Sequence, residues 1–172
     1  MQKFYIRQKI LSFVDKYNVY NEKMELMYFA KSDFFTLAAK LHLYRAGLDQ
    51  EIYLIKKRLF TFLPKYDLYK DNKIVATIKK KFTFLIQALH IESEYGNFDI
   101  IGDFLNHNYS ISKNNQEVCK LKKVWLTIGD SYEILIEDDE NIDFYIALVI
   151  LIDNCLHNGS STNSKGSNAS RR

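Results

Sequence analysis

Lysine and arginine gather at three places in the chain: Lys56-Lys57-Arg58, Lys79-Lys80-Lys81 and Lys120-Leu121-Lys122-Lys123, with Lys9 in an equivalent position near the start. Short runs of this kind bind phosphate groups, each cation contributing about 1 kcal/mol near an anionic lipid surface. The formal net charge is only +3. Nucleic acid binding is therefore not expected from charge alone, and anion binding has to come from local clustering. The plainer reading of the same residues is solvated, outward-facing charge that keeps the protein soluble.

Other reactive side chains show less pattern. His42, His90, His107 and His157 have no metal-ligand spacing and read as surface or polar-core histidines. Cys119 and Cys155 make no disulfide framework and read as reduced thiols of an intracellular protein. Lys120 beside Cys119 could activate that thiol mildly, although an inert cysteine is the simpler expectation. Asp143 and Asp153 stand about 80° apart on a helical wheel, where helix capping and end solvation explain them without paired acid–base chemistry. The sequence has no Gly-rich phosphate loop, nucleophile elbow or HExxH motif. No catalytic residue, metal or cofactor is predicted, and the start of the chain lacks the apolar core of a signal peptide.

The elements that position these residues follow from an internal repeat. Residues 8–20, 57–69 and 123–135 align without gaps, each with two apolar residues, a Ser or Thr, another apolar residue, and, five positions after the hydroxyl, Tyr17, Tyr66 or Tyr132. Weaker copies lie between them. The anchors Ser12, Thr36, Thr61, Thr83, Leu105 and Thr127 recur every 22 to 25 residues. Asn21-Glu22, Ala46-Gly47, Asp71-Asn72, Gly96-Asn97 and Asn114-Asn115 punctuate the repeat with turn-forming residues. Aromatic and β-branched residues between them predict strands, including the ambiguous stretch 34–44. Two strands per unit make about twelve. The repeated tyrosines are expected to start each second strand, their hydroxyls near a turn.

One segment is different. After Glu137-Asp138-Asp139-Glu140, residues 141–157 predict a helix, with Asn141 as N-cap and the acids at its positive end. From Phe144 to Ile152 it is apolar all round, which marks burial on every side. Asp143 and Asp153 enclose only nine uncharged residues, whereas a bilayer span needs about 20. A sheet of about twelve strands closes to remove its edges, and the hollow it leaves needs a filling. The fold class predicted is therefore mainly β: a closed antiparallel barrel of about twelve strands around a buried apolar C-terminal helix, one domain over residues 1–157. The Ser/Asn/Gly-rich tail, 158–172, reads as disordered.

Four segments carry a family resemblance: Tyr5-Ile6-Arg7-Gln8-Lys9-Ile10, Leu63-Pro64-Lys65-Tyr66, Val75-Ala76-Thr77-Ile78-Lys79-Lys80-Lys81-Phe82 and Gly102-Asp103-Phe104. With the closing helix, and over about residues 3–157, they resemble the LOR family of the tubby C-terminal-domain-like superfamily, which includes the phospholipid scramblases. The resemblance implies a twelve-stranded barrel around a central helix. Tubby proteins bind phosphoinositide head groups and scramblases act at membranes, but no tubby lipid-site motif matches here residue by residue. The reading that joins these lines is a non-enzymatic cytoplasmic binding module, peripheral to the membrane. It would bind anionic phospholipid head groups through a ring of Lys9, Lys56, Lys57, Arg58, Lys79, Lys80, Lys81, Lys122 and Lys123 on the barrel exterior. A protein-interaction scaffold is the alternative; an enzyme or a carrier with a ligand in the lumen ranks lower.

Overall fold

A computed structural model describes residues 1–9, 16–33, 40–48, 50–61, 65–81, 88–103, 106, 108–125, 130–137 and 140–157. Twelve strands precede one helix: β1 (Gln2–Lys9), β2 (Lys16–Asn21), β3 (Leu26–Ser32), β4 (Lys40–Arg45), β5 (Glu51–Lys57), β6 (Lys65–Lys70), β7 (Lys73–Lys81), β8 (Ala88–Ser93), β9 (Gly96–Asp103), β10 (Asn108–Lys113), β11 (Gln116–Trp125), β12 (Asp130–Ile136) and α1 (Ile142–His157). Every strand pairs antiparallel with its sequence neighbours, and β1 pairs with β12 to close the barrel. This is the fold class expected from the sequence.

The alternation along each strand sends one side chain in two to the lumen. In β4, Leu41 and Leu43 are buried while Lys40, His42 and Tyr44 lie on the outer face. Cross-strand partners share a face, so burial continues across the sheet. Tyr66 pairs with Ile78, Ile78 with Ile91, and Ile91 with Phe98, all fully buried.

Turn chemistry sets the hairpins at one end. Asp71-Asn72 and Asn114-Asn115 both take positive φ at both residues, the conformation whose twist matches the flanking strands. At the β8–β9 hairpin the turn is Glu94-Tyr95, and Gly96, placed in the turn by sequence, instead opens β9 with φ of 112°. The ladders β2–β3, β4–β5, β6–β7 and β10–β11 each shift register once. Such bulges increase the local twist that a closing sheet needs.

Helix α1 runs through the lumen, and Phe144 to Ile152 are each at most 1% exposed. Each apolar side chain so buried contributes about 1.5–3 kcal/mol of transfer free energy. Phe98 from β9 packs on both Phe144 and Tyr145, at ring distances of 5.7 and 6.0 Å. The stretch 34–44 is strand from Lys40 onward, and residues 34–39 lie outside the described residues. So do the anchors Ser12, Thr36, Thr83, Leu105 and Thr127, and the tail 158–172; Thr61 sits in the connection after β5.

Candidate anion-binding surface

The odd-numbered strands end, and the even-numbered strands begin, at one end of the barrel. The register brings lysines together there. Lys9 stands opposite Lys16, Lys16 opposite Lys31, Lys40 opposite Lys56, and Lys65 opposite Lys79. Lys122 and Lys123 reach the same end on β11, opposite Glu133 and Tyr132. Lys80 and Lys81 close β7, opposite Leu89 and Ala88. Like charges directly opposite one another destabilise a sheet. Four such pairs in register make a belt of lysine positions at this end.

The belt is wider than the sequence clusters suggest. Lys16, Lys31, Lys40 and Lys65 stand alone in the sequence, and only register brings them to the others. One signal was present: Lys16-Tyr17 and Lys65-Tyr66 place a lysine directly before the repeated tyrosine.

Three expected members of an exterior ring stand opposite buried residues, Lys80 opposite Leu89 among them. Lys57 pairs with buried Tyr66 and Lys123 with buried Tyr132. Both therefore share the lumen-facing side of their strands and sit half-buried at the barrel mouth. The strands' two-residue period forces this, because Lys56 and Lys57 are adjacent and must point to opposite faces.

Arg58 has a structural partner. Its Nε and Nη2 donate to the two carboxylate oxygens of Asp67 at 2.5 and 2.8 Å, and Thr77 Oγ1 donates to the same group at 2.7 Å. Asp67 lies on the outer face of β6 yet is only 2% exposed, because Arg58 covers it. The guanidinium's pKa is raised, chiefly by this hydrogen bond. Lys56 rests over the Tyr69 ring at 4.5 Å and Lys31 over Phe29 at 4.9 Å. Lys40 lies 3.6 Å from Asp33.

The opposite end of the barrel differs in charge. Its turns carry Glu22, Glu25, Asp71, Glu94, Glu137 and Glu140 together with Lys23, and Arg45, Lys70, Lys73 and Lys113 border them, so charge of both signs meets there. An open groove of about 530 Å³ lies there, with Met1, Phe4, Met27 and Ile142 among its apolar lining. Lys3, Lys23 and Arg45 share its rim with Glu22 and Glu25. Mixed charge gives that groove no preference for an anion.

The remaining candidates are structural. Asp143, in the first turn of α1, is held by Arg45 Nη2 at 2.7 and 2.6 Å and by the Tyr28 hydroxyl at 2.7 Å. Burial, then Asp143, pushes the Tyr28 pKa well up. Asp153, near the other helix end, accepts from the Tyr17 hydroxyl at 2.6 Å. The two carboxylates thus serve opposite ends of the barrel and form no acid–base pair. Tyr66 reaches the Asn154 carbonyl at 3.5 Å. The hydroxyls of Tyr17 and Tyr66 therefore point inward to the helix rather than to a turn, although both residues do open second strands.

His42 bridges Asp33 and Glu51, and His90 contacts Asp99 at 2.9 Å, as expected of surface histidines. His107 lies outside the described residues, and His157 is the last residue of α1. Cys119 is buried, and burial pushes its thiol pKa up, away from reactivity. Among the described residues, no group of three or more His, Cys, Asp or Glu is gathered to hold a metal ion.

A family model described as LURP-one-related, LOR, matches residues 2–153. The uncharacterized protein YxjI of Bacillus subtilis (strain 168) is 26% identical over 158 residues, covering 92% of this chain and 96% of that one. The X-ray structure of a protein from Arabidopsis thaliana superposes with a TM-score of 0.61 at 10% identity, covering 88% of this chain and 91% of that one. That likeness is one of fold.

Proposed function

The chain belongs to the LURP-one-related family, and from that premise we propose that it is a non-catalytic binding module that docks, basic end first, on anionic phospholipid head groups. The observation that carries this reading is the belt: four lysine pairs in direct cross-strand register at one end of the barrel. Lys31 and Lys122 are exposed there and Lys56 is partly exposed, with Lys9, Lys79, Lys80 and Lys81 on the same strand ends.

The docking is peripheral. Among the described residues no helix is long and apolar enough to cross a membrane. The barrel itself is apolar inside and charged outside, the inverse of a membrane-spanning barrel. A cytoplasmic location at the inner leaflet suits such a module, because anionic lipid gives that surface its negative potential.

Co-sedimentation with vesicles tests the reading. Binding is expected to vesicles containing phosphatidylserine or phosphoinositide and not to neutral ones, and to weaken as salt rises. Replacing Lys31, Lys56 and Lys122 together with Glu is expected to reduce binding at least about a hundredfold while leaving the fold intact. Absence of binding at low salt overturns the lipid reading and leaves a protein partner as the ligand class to pursue.

A further inference from the structure

Immediately beyond the belt, β5 runs into Arg58-Leu59-Phe60-Thr61. Phe60 is fully exposed as a residue, and Leu59 is 44% exposed. Phe60 also takes a φ of 58°, in the left-handed region that bulky residues rarely occupy. The Arg58 amide donates to the Lys65 carbonyl at 2.9 Å, which pins the base of this connection to β6. Among the described residues, no contact offsets either the backbone strain or the exposure of the ring. Strain of that kind is a pointer to a function.

The flanks give the function a chemistry. Lys56, Lys57 and Arg58 precede the tip, and Lys65 follows it, opposite Lys79. An aromatic tip collared by lysines matches the layered structure of a bilayer surface: cations at the phosphates, apolar groups at the acyl boundary.

We infer that Leu59 and Phe60 insert below the head groups of an anionic bilayer while the lysine belt engages the phosphates. The inference rests on the lipid reading above and adds a second, apolar mode of attachment to it. Charge docking alone dissolves at high salt. Insertion leaves a salt-resistant component, because burying a phenylalanine ring does not depend on screening.

Phe60→Cys carrying an environment-sensitive fluorophore reads the insertion directly. Cys119 and Cys155 are buried, at 1% and 4% exposure, so labelling is confined to position 60. On vesicles containing phosphatidylserine, the emission is expected to shift to the blue and to be quenched by bromines placed high on the acyl chains. A label at Leu48→Cys, exposed on the far end at 50%, is expected to stay in water. Phe60→Asp, tested unlabelled, is expected to bind the same vesicles about tenfold more weakly or less and to lose the salt-resistant fraction, with an unchanged melting temperature. If the label at position 60 stays aqueous while the protein co-sediments, insertion is overturned and charge docking stands. If nothing co-sediments at low salt, both fall.

Discussion

The hydroxyl of Tyr17 donates to the carboxylate of Asp153 across 136 residues of sequence and 2.6 Å of space. It joins the second strand to the far end of the helix, inside the barrel. Tyr17 is 1% exposed and Asp153 is 4% exposed, so little water reaches the bond.

Removing that donor leaves a buried carboxylate short of a partner. Tyr17→Phe keeps the ring and is expected to lower stability by about 1.5–3 kcal/mol, the range for hydrogen bonds to charged groups. Urea unfolding checks it: the midpoint should fall with the slope unchanged. A midpoint within error of the parent would show that the bond adds nothing net.

Arg58 and Lys56 sit two residues apart at the same end of the barrel, yet their removal should differ. Arg58→Ala uncovers Asp67 and is expected to cost about 2–3 kcal/mol, because a nearly buried charge loses its main counterion while Thr77 remains. Lys56→Ala removes only a contact over Tyr69 and should stay within about 0.5 kcal/mol. Thermal melts of the two variants side by side decide the matter. Equal effects would contradict the distinct roles given to them.

Gly102, in one of the segments that carries the family resemblance, has a geometric reason to be glycine. Its φ is 152°, and a Cβ there would lie 2.4 Å from the Asn108 carbonyl oxygen and 2.6 Å from the Tyr109 Cα. Both neighbours are backbone of the paired strand β10, which has no room to yield. Gly102→Ala is expected to destabilise by about 2–3 kcal/mol. Gly47→Ala, where the added carbon meets nothing within 4 Å, should cost less because strain at φ of 80° acts alone. Denaturant titration of both separates crowding from backbone strain.

Alkaline pH should weaken the fold. The pKa values of Tyr28, Tyr53 and Tyr109 are raised in the folded chain, burial being the largest cause for each. In the unfolded chain they ionise near the ordinary tyrosine value of about 10. Above that pH the unfolded state holds fewer protons than the native one, so stability falls as pH rises. The share that the tyrosines contribute is fully present below pH ~10. The slope in the first unit above that should exceed three protons, because the buried Cys119 thiol and Tyr44 are raised as well; urea midpoints from pH 8 to 11 measure it, and a flat profile would rule out the buried, neutral tyrosines.

The strand number and the helix were legible in the sequence because they rest on local signals. Asp71-Asn72 and Asn114-Asn115 announce turns, and the apolar run Phe144–Ile152 announces a helix with no wet face. Lys57 and Lys123 were misplaced because a run of cations hides a period of two, which only the pairing with Tyr66 and Tyr132 exposes. Lys16, Lys31, Lys40 and Lys65 were missed because their association exists only in the register between strands. The inward aim of Tyr17 and Tyr66 depends on where the helix ends, a contact across the lumen with no trace in the neighbouring residues. The same holds for Asp67, whose burial on an outer face is made by an arginine nine positions away.

The central helix follows all twelve strands in the chain, and this order constrains how the molecule is made. During synthesis the barrel wall leaves the ribosome before its own core does. Until residues 142–157 emerge, the lumen side chains of every strand have nothing to pack against, and β1 must wait for β12 as well. Folding of this chain is therefore a late event dominated by distant contacts, slow by the measure of its topology. A cut or stall just before Ile142 would release twelve strands with an apolar inner face and open edges, a nascent product suited to aggregation and in need of a chaperone's cover.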